Sequence, residues 1–152
     1  MKITLNPVIV PKRQQYMDLL LLADESEEIV QTYIERGDLF AISLQNQTIG
    51  VALFIEEAPH VIELKNIALL PQFTGHGYGK AVIEHACTLY KRRNIHKLIV
   101  GTANSSIDNI AFYQKAGFRM THVKSNFFLQ YPAPIFENGI QALDMLMFER
   151  TL

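Results

Sequence analysis

Three alternate glycines stand between an apolar run and an amphipathic segment, in the stretch Pro71-Gln72-Phe73-Thr74-Gly75-His76-Gly77-Tyr78-Gly79-Lys80. Glycine has no Cβ, so neighbouring backbone N–H groups can turn toward a single point. A helix that starts here adds unpaired N–H groups and the positive end of its dipole. A strand, a glycine loop and a helix start therefore predict a site for a phosphate or pyrophosphate group.

Two common nucleotide motifs do not fit this glycine loop. A Walker-type loop requires Ser or Thr directly after Gly-Lys to bind magnesium, and here Gly79-Lys80 is followed by Ala81. A dinucleotide fingerprint requires Gly-x-Gly-x-x-Gly near the start of a parallel sheet, whereas this loop reads Gly-x-Gly-x-Gly and follows a segment with antiparallel character. Another phosphate-containing ligand and a plain turn are the interpretations left open.

Hydrophobic periodicity along the rest of the chain predicts helices and strands in one mixed sheet. The helices are predicted at 12–23, 26–36, 81–90 and 108–116. The strands are predicted at 3–10, 39–44, 49–55, 61–70, 97–100, 118–128 and 142–149, with a longer loop at 129–139. The middle three strands before the glycine loop favour an antiparallel meander, and the strand–loop–helix–strand order over 67–100 predicts a parallel pair. The fold class is therefore α/β, with helices on both faces of the sheet.

Composition limits the kind of protein this is. A chain of 152 residues is expected to form a single domain, 1–152. The 14 basic and 15 acidic residues leave a net charge of -1, which argues against nucleic acid as a partner. Apolar runs are too short to span a bilayer, so no membrane association is expected. The single cysteine, Cys87, and the absence of a signal-peptide pattern fit a reducing, cytoplasmic setting.

A second segment, Asn104 to Phe118, lies one strand beyond the glycine loop. Its end, Tyr113-Gln114-Lys115-Ala116-Gly117-Phe118, together with Leu69-Leu70-Pro71 and Gly77-Tyr78-Gly79, resembles two motifs of the GNAT superfamily, the acetyl-CoA-dependent N-acetyltransferases. The order of strands and helices resembles that family across nearly the whole chain. The resemblance implies a mostly antiparallel sheet with a parallel pair at the coenzyme A cleft, and acetyl transfer from acetyl-CoA to an amine.

The resemblance also implies which residues bind the cofactor. They are Ile67, Ala68, Leu69, Thr74, Gly75, His76, Gly77, Tyr78, Gly79, Lys80, Asn104, Asn109 and Tyr113. Thr74 stands where the family usually has Gln or Arg, so backbone N–H groups are expected to make most of the phosphate contacts. Asn109 stands where a small Ala is common, and Asn104 is two residues further from Tyr113 than the usual Asn. Both asparagines are candidates for a cofactor contact.

Acetyl transfer needs an oxyanion donor and a proton donor for the departing thiolate. In the family the pantetheine arm pairs with the strand before the glycine loop, here 67–69, so a backbone N–H of that strand is the expected oxyanion donor. The resemblance places Tyr113 as the general acid. Packing of Tyr113 against Ile110 in an apolar face is the alternative.

Glu63 is the candidate general base. It is six residues before Leu69, and strand alternation predicts that its side chain points to the same face as those of Lys65, Ile67 and Leu69. A solvated strand carboxylate paired with Lys65 is the alternative, and Glu56 and Glu57 at the end of the neighbouring strand are weaker candidates.

Other side chains suggest no further chemistry. The five histidines have no ligand spacing with a carboxylate or sulfur partner, so no metal is expected. The late loop crowds aromatic residues that fit either an acceptor wall or a contact in a homodimer or higher homo-oligomer. Nothing names the acceptor amine. The second function that fits the motifs is a non-catalytic acyl-CoA-binding or regulatory domain.

Overall fold

The computed structural model describes residues 2–152, which form a seven-stranded sheet with helices on both faces and a separate small hairpin. The helices are α1 (Met17–Leu20), α2 (Glu27–Gln31), α3 (Tyr78–Arg92) and α4 (Ile107–Lys115), with 3-10 turns at Val10–Tyr16, Pro71–Phe73 and Phe127–Gln130. The strands are β1 (Ile3–Pro7), β2 (Asp38–Leu44), β3 (Gln47–Ala58), β4 (Val61–Leu69), β5 (Lys97–Ala103), β6 (Arg119–Lys124), β7 (Phe136–Glu137), β8 (Ile140–Gln141) and β9 (Met145–Thr151).

The sheet has the strand order β1-β2-β3-β4-β5-β9-β6. Its neighbours are antiparallel except for β4 and β5, which are parallel because α3 carries the chain from one to the other. The predicted meander, parallel pair and closing strand pair are thus confirmed. The last strand inserts between β5 and β6, which leaves β6 at the edge.

Two apolar cores lie on opposite faces of the sheet. On one, here called the α3 face, Phe54, Leu64 and Phe148 pack with residues of α3 and α4. On the other, the α1–α2 face, Leu53 and Val51 pack with the helical segments before β2. Alternate strand residues belong to alternate faces, as the period of a pleated strand requires.

The prediction of one continuous helix over 12–23 is wrong. The chain forms the Val10–Tyr16 3-10 turn and then the short α1. Arg13 explains the difference, because its side chain is only 5% exposed and its guanidinium donates to four backbone carbonyl oxygens. Those acceptors belong to Val8, Ile34, Arg36 and Gly37. Contacts with segments distant in sequence therefore decide the local backbone at Arg13.

The late loop has more structure than periodicity predicts. Strand β6 ends at Lys124, short of the predicted 128, and the segment 129–139 contains β7 and part of a 3-10 turn. Glu137 Oε1 accepts hydrogen bonds from Ser105 Oγ at 3.1 Å and Ser106 Oγ at 2.7 Å. The small hairpin is thereby held against the start of α4.

Candidate active site

The two parallel strands separate toward their carboxyl ends. Their pairing covers only 61–64 with 97–100, although β4 continues to Leu69 beside β3 and β5 continues to Ala103 beside β9. The backbone of 67–69 therefore has no ladder partner on the β5 side. An opening between two strands offers N–H and C=O groups to an extended ligand that carries amides, in the way that strand addition does.

The glycine loop forms an open cradle in front of α3. Gly75 and Gly77 have φ values of +77° and +83°, in the left-handed region that favours glycine. A Cβ added at either position would meet nothing within 4 Å, so backbone conformation and not crowding requires glycine there. Gly77 is the N-cap of α3 and no side chain caps that terminus. The first N–H groups of a 15-residue helix thus stay available to an anion.

Side chains of the loop add little to this cradle. Thr74 Oγ1 donates to the carbonyl oxygen of Pro71 at 2.8 Å, which holds it within its own turn. His76 and Lys80 are exposed. Gly79 has another role, since a Cβ there would lie 3.2 Å from Phe112 Cζ, where α3 approaches α4.

The structure separates the two asparagine candidates. Asn104 Nδ2 donates to Gln141 O at 3.1 Å, and its Oδ1 accepts from the N–H groups of Leu143 and Asp144. Its amide is therefore committed to the segment that leads into β9. Asn109 makes a single long contact, from Nδ2 to Thr102 Oγ1 at 3.4 Å, beside the part of β5 that has left β4.

Tyr113 lies on the α3 face and is 5% exposed. Its ring packs edge-on against Phe112 and Phe118 and contacts Phe148 at a centroid distance of 6.0 Å. Burial raises the pKa of its hydroxyl well above the usual range, so the phenol stays protonated at neutral pH. Tyr113 is therefore packed among apolar side chains, as the alternative interpretation expects. Its hydroxyl nevertheless keeps the proton that a general acid would donate.

Glu63 does not share a face with Leu69, and that prediction is wrong. The β3–β4 register pairs Phe54 with Leu64 but Leu53 with Asn66, so Lys65 is an extra residue in β4. Such a bulge reverses the alternation beyond it. Glu63, opposite Ile55, lies on the α1–α2 face, whereas Leu69 packs with the α3 face.

Glu63 is buried, with 7% of its surface exposed. Burial raises the pKa of its carboxyl, and the neighbouring Glu57 raises it further through charge repulsion and a hydrogen bond. Lys65 and Lys124 oppose this shift in the pKa. A simple exposed carboxylate paired with Lys65 therefore does not describe Glu63.

A polar cluster on the α1–α2 face, here called the Asp24 node, comprises Asp24, Tyr33, Tyr131 and Asn66. Asp24 accepts from Tyr33 Oη at 2.8 Å and from Tyr131 Oη at 2.7 Å. Asn66 Nδ2 donates to Tyr33 Oη at 2.9 Å and to Leu20 O at 3.0 Å, while its buried Oδ1 has no partner among the described residues. No local pattern identifies this node in the sequence, because Tyr131 is 107 positions from Asp24.

Cys87 is buried, and burial raises the pKa of its thiol, which argues against a reactive cysteine. Within residues 2–152, no three His, Cys, Asp or Glu side chains converge as a metal site would require. None of the helices described is long and apolar enough to cross a membrane. A homo-oligomer and a cytoplasmic location stay predictions.

Comparison with known proteins identifies relatives of this site and fold. A profile described as the acetyltransferase (GNAT) family matches residues 11–118, which include the glycine loop, Glu63 and Tyr113. The chain is 39% identical over 130 residues to an uncharacterised N-acetyltransferase, YvbK, of Bacillus subtilis (strain 168), covering 85% of this chain and 84% of that protein.

Solved structures share the whole architecture. An IAA acetyltransferase from Bacillus cereus ATCC 14579 has a TM-score of 0.91 and 35% identity, covering 99% of this chain and 100% of that chain. A GNAT family acetyltransferase from Elizabethkingia anophelis, solved with acetyl-CoA bound, has a TM-score of 0.91 and 37% identity, covering 99% and 98%. A Bacillus subtilis acetyltransferase in complex with CoA has a TM-score of 0.87 and 36% identity, with the same coverage. These similarities confirm the predicted fold and the predicted co-substrate, acetyl-CoA.

Proposed function

Because this chain belongs to the acetyltransferase (GNAT) family and is an acetyl-CoA-dependent N-acetyltransferase, we propose that it acetylates an amine that enters from the α1–α2 face. One observation carries the proposal. The uncapped start of α3 and the buried Glu63 lie on opposite faces of the sheet, at the point where β4 and β5 separate. Donor and acceptor can therefore meet in the opening without competing for one entrance.

The cofactor is proposed to lie along the α3 side of this opening. Its pyrophosphate would accept hydrogen bonds from N–H groups of 75–80, where the cradle is open and the helix dipole favours negative charge. Its pantetheine amides would pair with the free backbone edge of 67–69. Asn109 is the better candidate for an amide contact, since Asn104 is committed to the 141–144 segment.

The reaction is proposed to proceed by direct attack. The amine nitrogen forms a bond to the thioester carbonyl carbon, and a backbone N–H of β4 stabilises the oxyanion. Glu63 accepts the amine proton, and the C–S bond then breaks. Tyr113 protonates the thiolate of coenzyme A. The raised pKa of Glu63 suits its role, because a carboxylate with a higher pKa is a stronger base. The raised pKa of Tyr113 keeps the phenol protonated until the thiolate departs, and it makes the phenol a weaker acid.

Binding and turnover test the proposal separately. Acetyl-CoA at ~100 times its dissociation constant should stabilise the chain by roughly 2.7 kcal/mol. Glu63→Gln should lower kcat by at least tenfold at neutral pH and remove the acidic limb of the kcat–pH profile, with acetyl-CoA affinity unchanged. Glu35→Gln, at an exposed position, is the matched control. An unaltered acidic limb in Glu63→Gln would exclude Glu63 as the base.

The non-catalytic alternative has no support among the relatives, which are described as acetyltransferases. Tyr113→Phe tests the acid. We expect a lower kcat, most pronounced with amine acceptors whose attack is fast, and an unchanged dissociation constant for coenzyme A. Equal kcat values for both proteins across the pH range would remove Tyr113 from the mechanism.

A further inference from the structure

Lys65 lies in the wall of the proposed acceptor entrance and makes no close ion pair there with any of residues 2–152. It is the extra residue of the β4 bulge, and its Nζ lies 5.3 Å from the centroid of the Tyr33 ring, on the α1–α2 face. Lys65 is half-buried, and it makes no ion pair or hydrogen bond with the rest of residues 2–152. A cation–π contact compensates only part of the hydration that an ammonium loses on burial.

The neighbouring carboxylates are engaged elsewhere. Asp24, which accepts from the Tyr33 hydroxyl, has each oxygen bonded to a tyrosine hydroxyl. Glu57 lies 3.8 Å from the guanidinium of Arg36. Glu63 is the remaining acid, and none of its oxygens forms an ion pair with Lys65 within 4.0 Å, although the charge of Lys65 opposes the rise in the pKa of Glu63 that burial causes.

A second lysine acts on the same carboxyl. Lys124, at the end of β6, opposes the rise in the pKa of Glu63, as Lys65 does. Lys124 also makes no ion pair within the part of the chain described. A lysine ammonium without a close ion pair therefore lies two positions from the proposed base, and a substrate that carries an anion beside its amine would supply the missing partner.

We propose that Lys65 binds a carboxylate of the acceptor, so that the substrate is an amine that also carries a carboxylate, of the amino-acid class. This inference rests on the proposed function. Glu63 and Lys65 are two positions apart, a span of roughly 7 Å along a strand. Their flexible side chains can meet the ammonium and carboxylate of one small molecule. Glu63, as the carboxylate, takes the first proton of the ammonium and releases it to solvent, and the free amine nitrogen forms its bond to the thioester carbonyl carbon. Glu63 then takes the second nitrogen proton, the C–S bond breaks, and Tyr113 protonates the thiolate, so that coenzyme A leaves as the thiol.

The same lysine would discriminate by repulsion. An amine without a carboxylate, or a polyamine, would place a second cation beside Lys65 with no anion between them. Like charges brought together in a partly desolvated site lower affinity, and this is a common basis of specificity. The site therefore favours a zwitterion over the amine obtained by removing its carboxylate.

Matched acceptor pairs test the inference. Thiol release from acetyl-CoA is measured with L-leucine against 3-methylbutylamine and L-phenylalanine against 2-phenylethylamine. In at least one of the two pairs, we expect kcat/KM to be at least tenfold higher for the amino acid than for its decarboxylated amine. Lys65→Met should abolish that preference by lowering kcat/KM for the carboxylate-bearing acceptor, while Lys65→Arg should retain it. Lys91→Met, an exposed change in the last turn of α3, is the control. Higher kcat/KM for both decarboxylated amines, or an equal loss for both members in Lys65→Met, would overturn the inference.

Product binding provides a measurement that does not depend on turnover. Calorimetry with N-acetyl-L-leucine and N-acetyl-3-methylbutylamine, on the protein saturated with coenzyme A, should show at least tenfold tighter binding of the carboxylate. Lys65→Met should remove the difference. If no amine releases thiol but this difference is found, the proposed function fails and the Lys65 assignment stands. If amines are acetylated but both products bind equally, the Lys65 assignment fails and the function stands.

Discussion

Tyr131 donates a 2.7 Å hydrogen bond to Asp24, and this bond fastens the late loop to the helical segment near the amino terminus. Asp24 accepts from Tyr33 as well, and Tyr33 accepts from Asn66 at the β4 bulge. Three separate segments thus meet at one carboxylate on the face where the acceptor is proposed to enter. The node fixes that wall of the proposed acceptor site and includes no residue of the glycine loop.

Removal of one hydroxyl from the node should loosen the late loop. Tyr131→Phe is expected to lower the free energy of unfolding by about 1 kcal/mol, since a half-buried hydrogen bond to a carboxylate is lost. Amide hydrogen exchange over 127–136 should accelerate. Tyr16→Phe removes a hydroxyl from another half-buried tyrosine outside the node and should change neither quantity. Equal exchange rates over 127–136 in both variants would show that the bond does not hold the loop.

Gly77 is required by its backbone conformation, so its replacement should separate strain from cofactor binding. Gly77→Ala is expected to cost about 1 kcal/mol of unfolding free energy, because φ is +83° there. It should also weaken acetyl-CoA binding, since relief of the strain turns the N–H groups away. Gly77→Asn should be milder on both counts, as Asn tolerates this region.

Gly139 provides the control for Gly77. It has φ of +72° in the β7–β8 hairpin and also has open space around an added Cβ. Gly139→Ala should cost a similar free energy and leave the acetyl-CoA dissociation constant unchanged. A matching loss of acetyl-CoA affinity in Gly139→Ala would mean that general destabilisation, and not the cradle, explains the Gly77 effect.

The two asparagines should respond in opposite ways. Asn104→Ala is expected to lower the unfolding free energy by about 2 kcal/mol, because it leaves a backbone carbonyl and two N–H groups without their partner. Asn109→Ala should change stability little and weaken coenzyme A binding. Melting temperature and calorimetric affinity for the two variants decide between them. Loss of affinity confined to Asn104→Ala would reverse the assignment.

Glu63 should make stability depend on pH in a defined direction. Its pKa in the unfolded chain is about 4.3, and burial raises the folded value. Between the two values the folded state binds more protons, so stability falls as pH rises through the folded pKa. Glu63→Gln should therefore be more stable than the parent at pH 7, and the difference should vanish below pH ~4. A constant difference at all pH values would contradict this; Glu35→Gln supplies the exposed reference.

Much of the architecture follows from local patterns. The β2–β3 hairpin, the βαβ unit and the glycine cradle depend on residue period and on glycine dihedrals, which neighbouring residues in the chain decide. The helix at 12–23 was predicted wrongly because Arg13 bonds carbonyls of 34–37, and periodicity carries no information about such contacts. The β7–β8 hairpin was missed because two-residue strands have no measurable period.

The sequence by itself determined the glycine loop, the strand order around it and the family, since the glycines and the Tyr113–Phe118 motif act within one short segment each. Only the tertiary structure decided that Glu63 and Leu69 point to opposite faces, because a single bulge at Lys65 reverses every later side chain of β4 and its position depends on pairing with β3. The Asp24 node was likewise decided in three dimensions. Its partners become neighbours only when the sheet, α2 and the late loop have packed together.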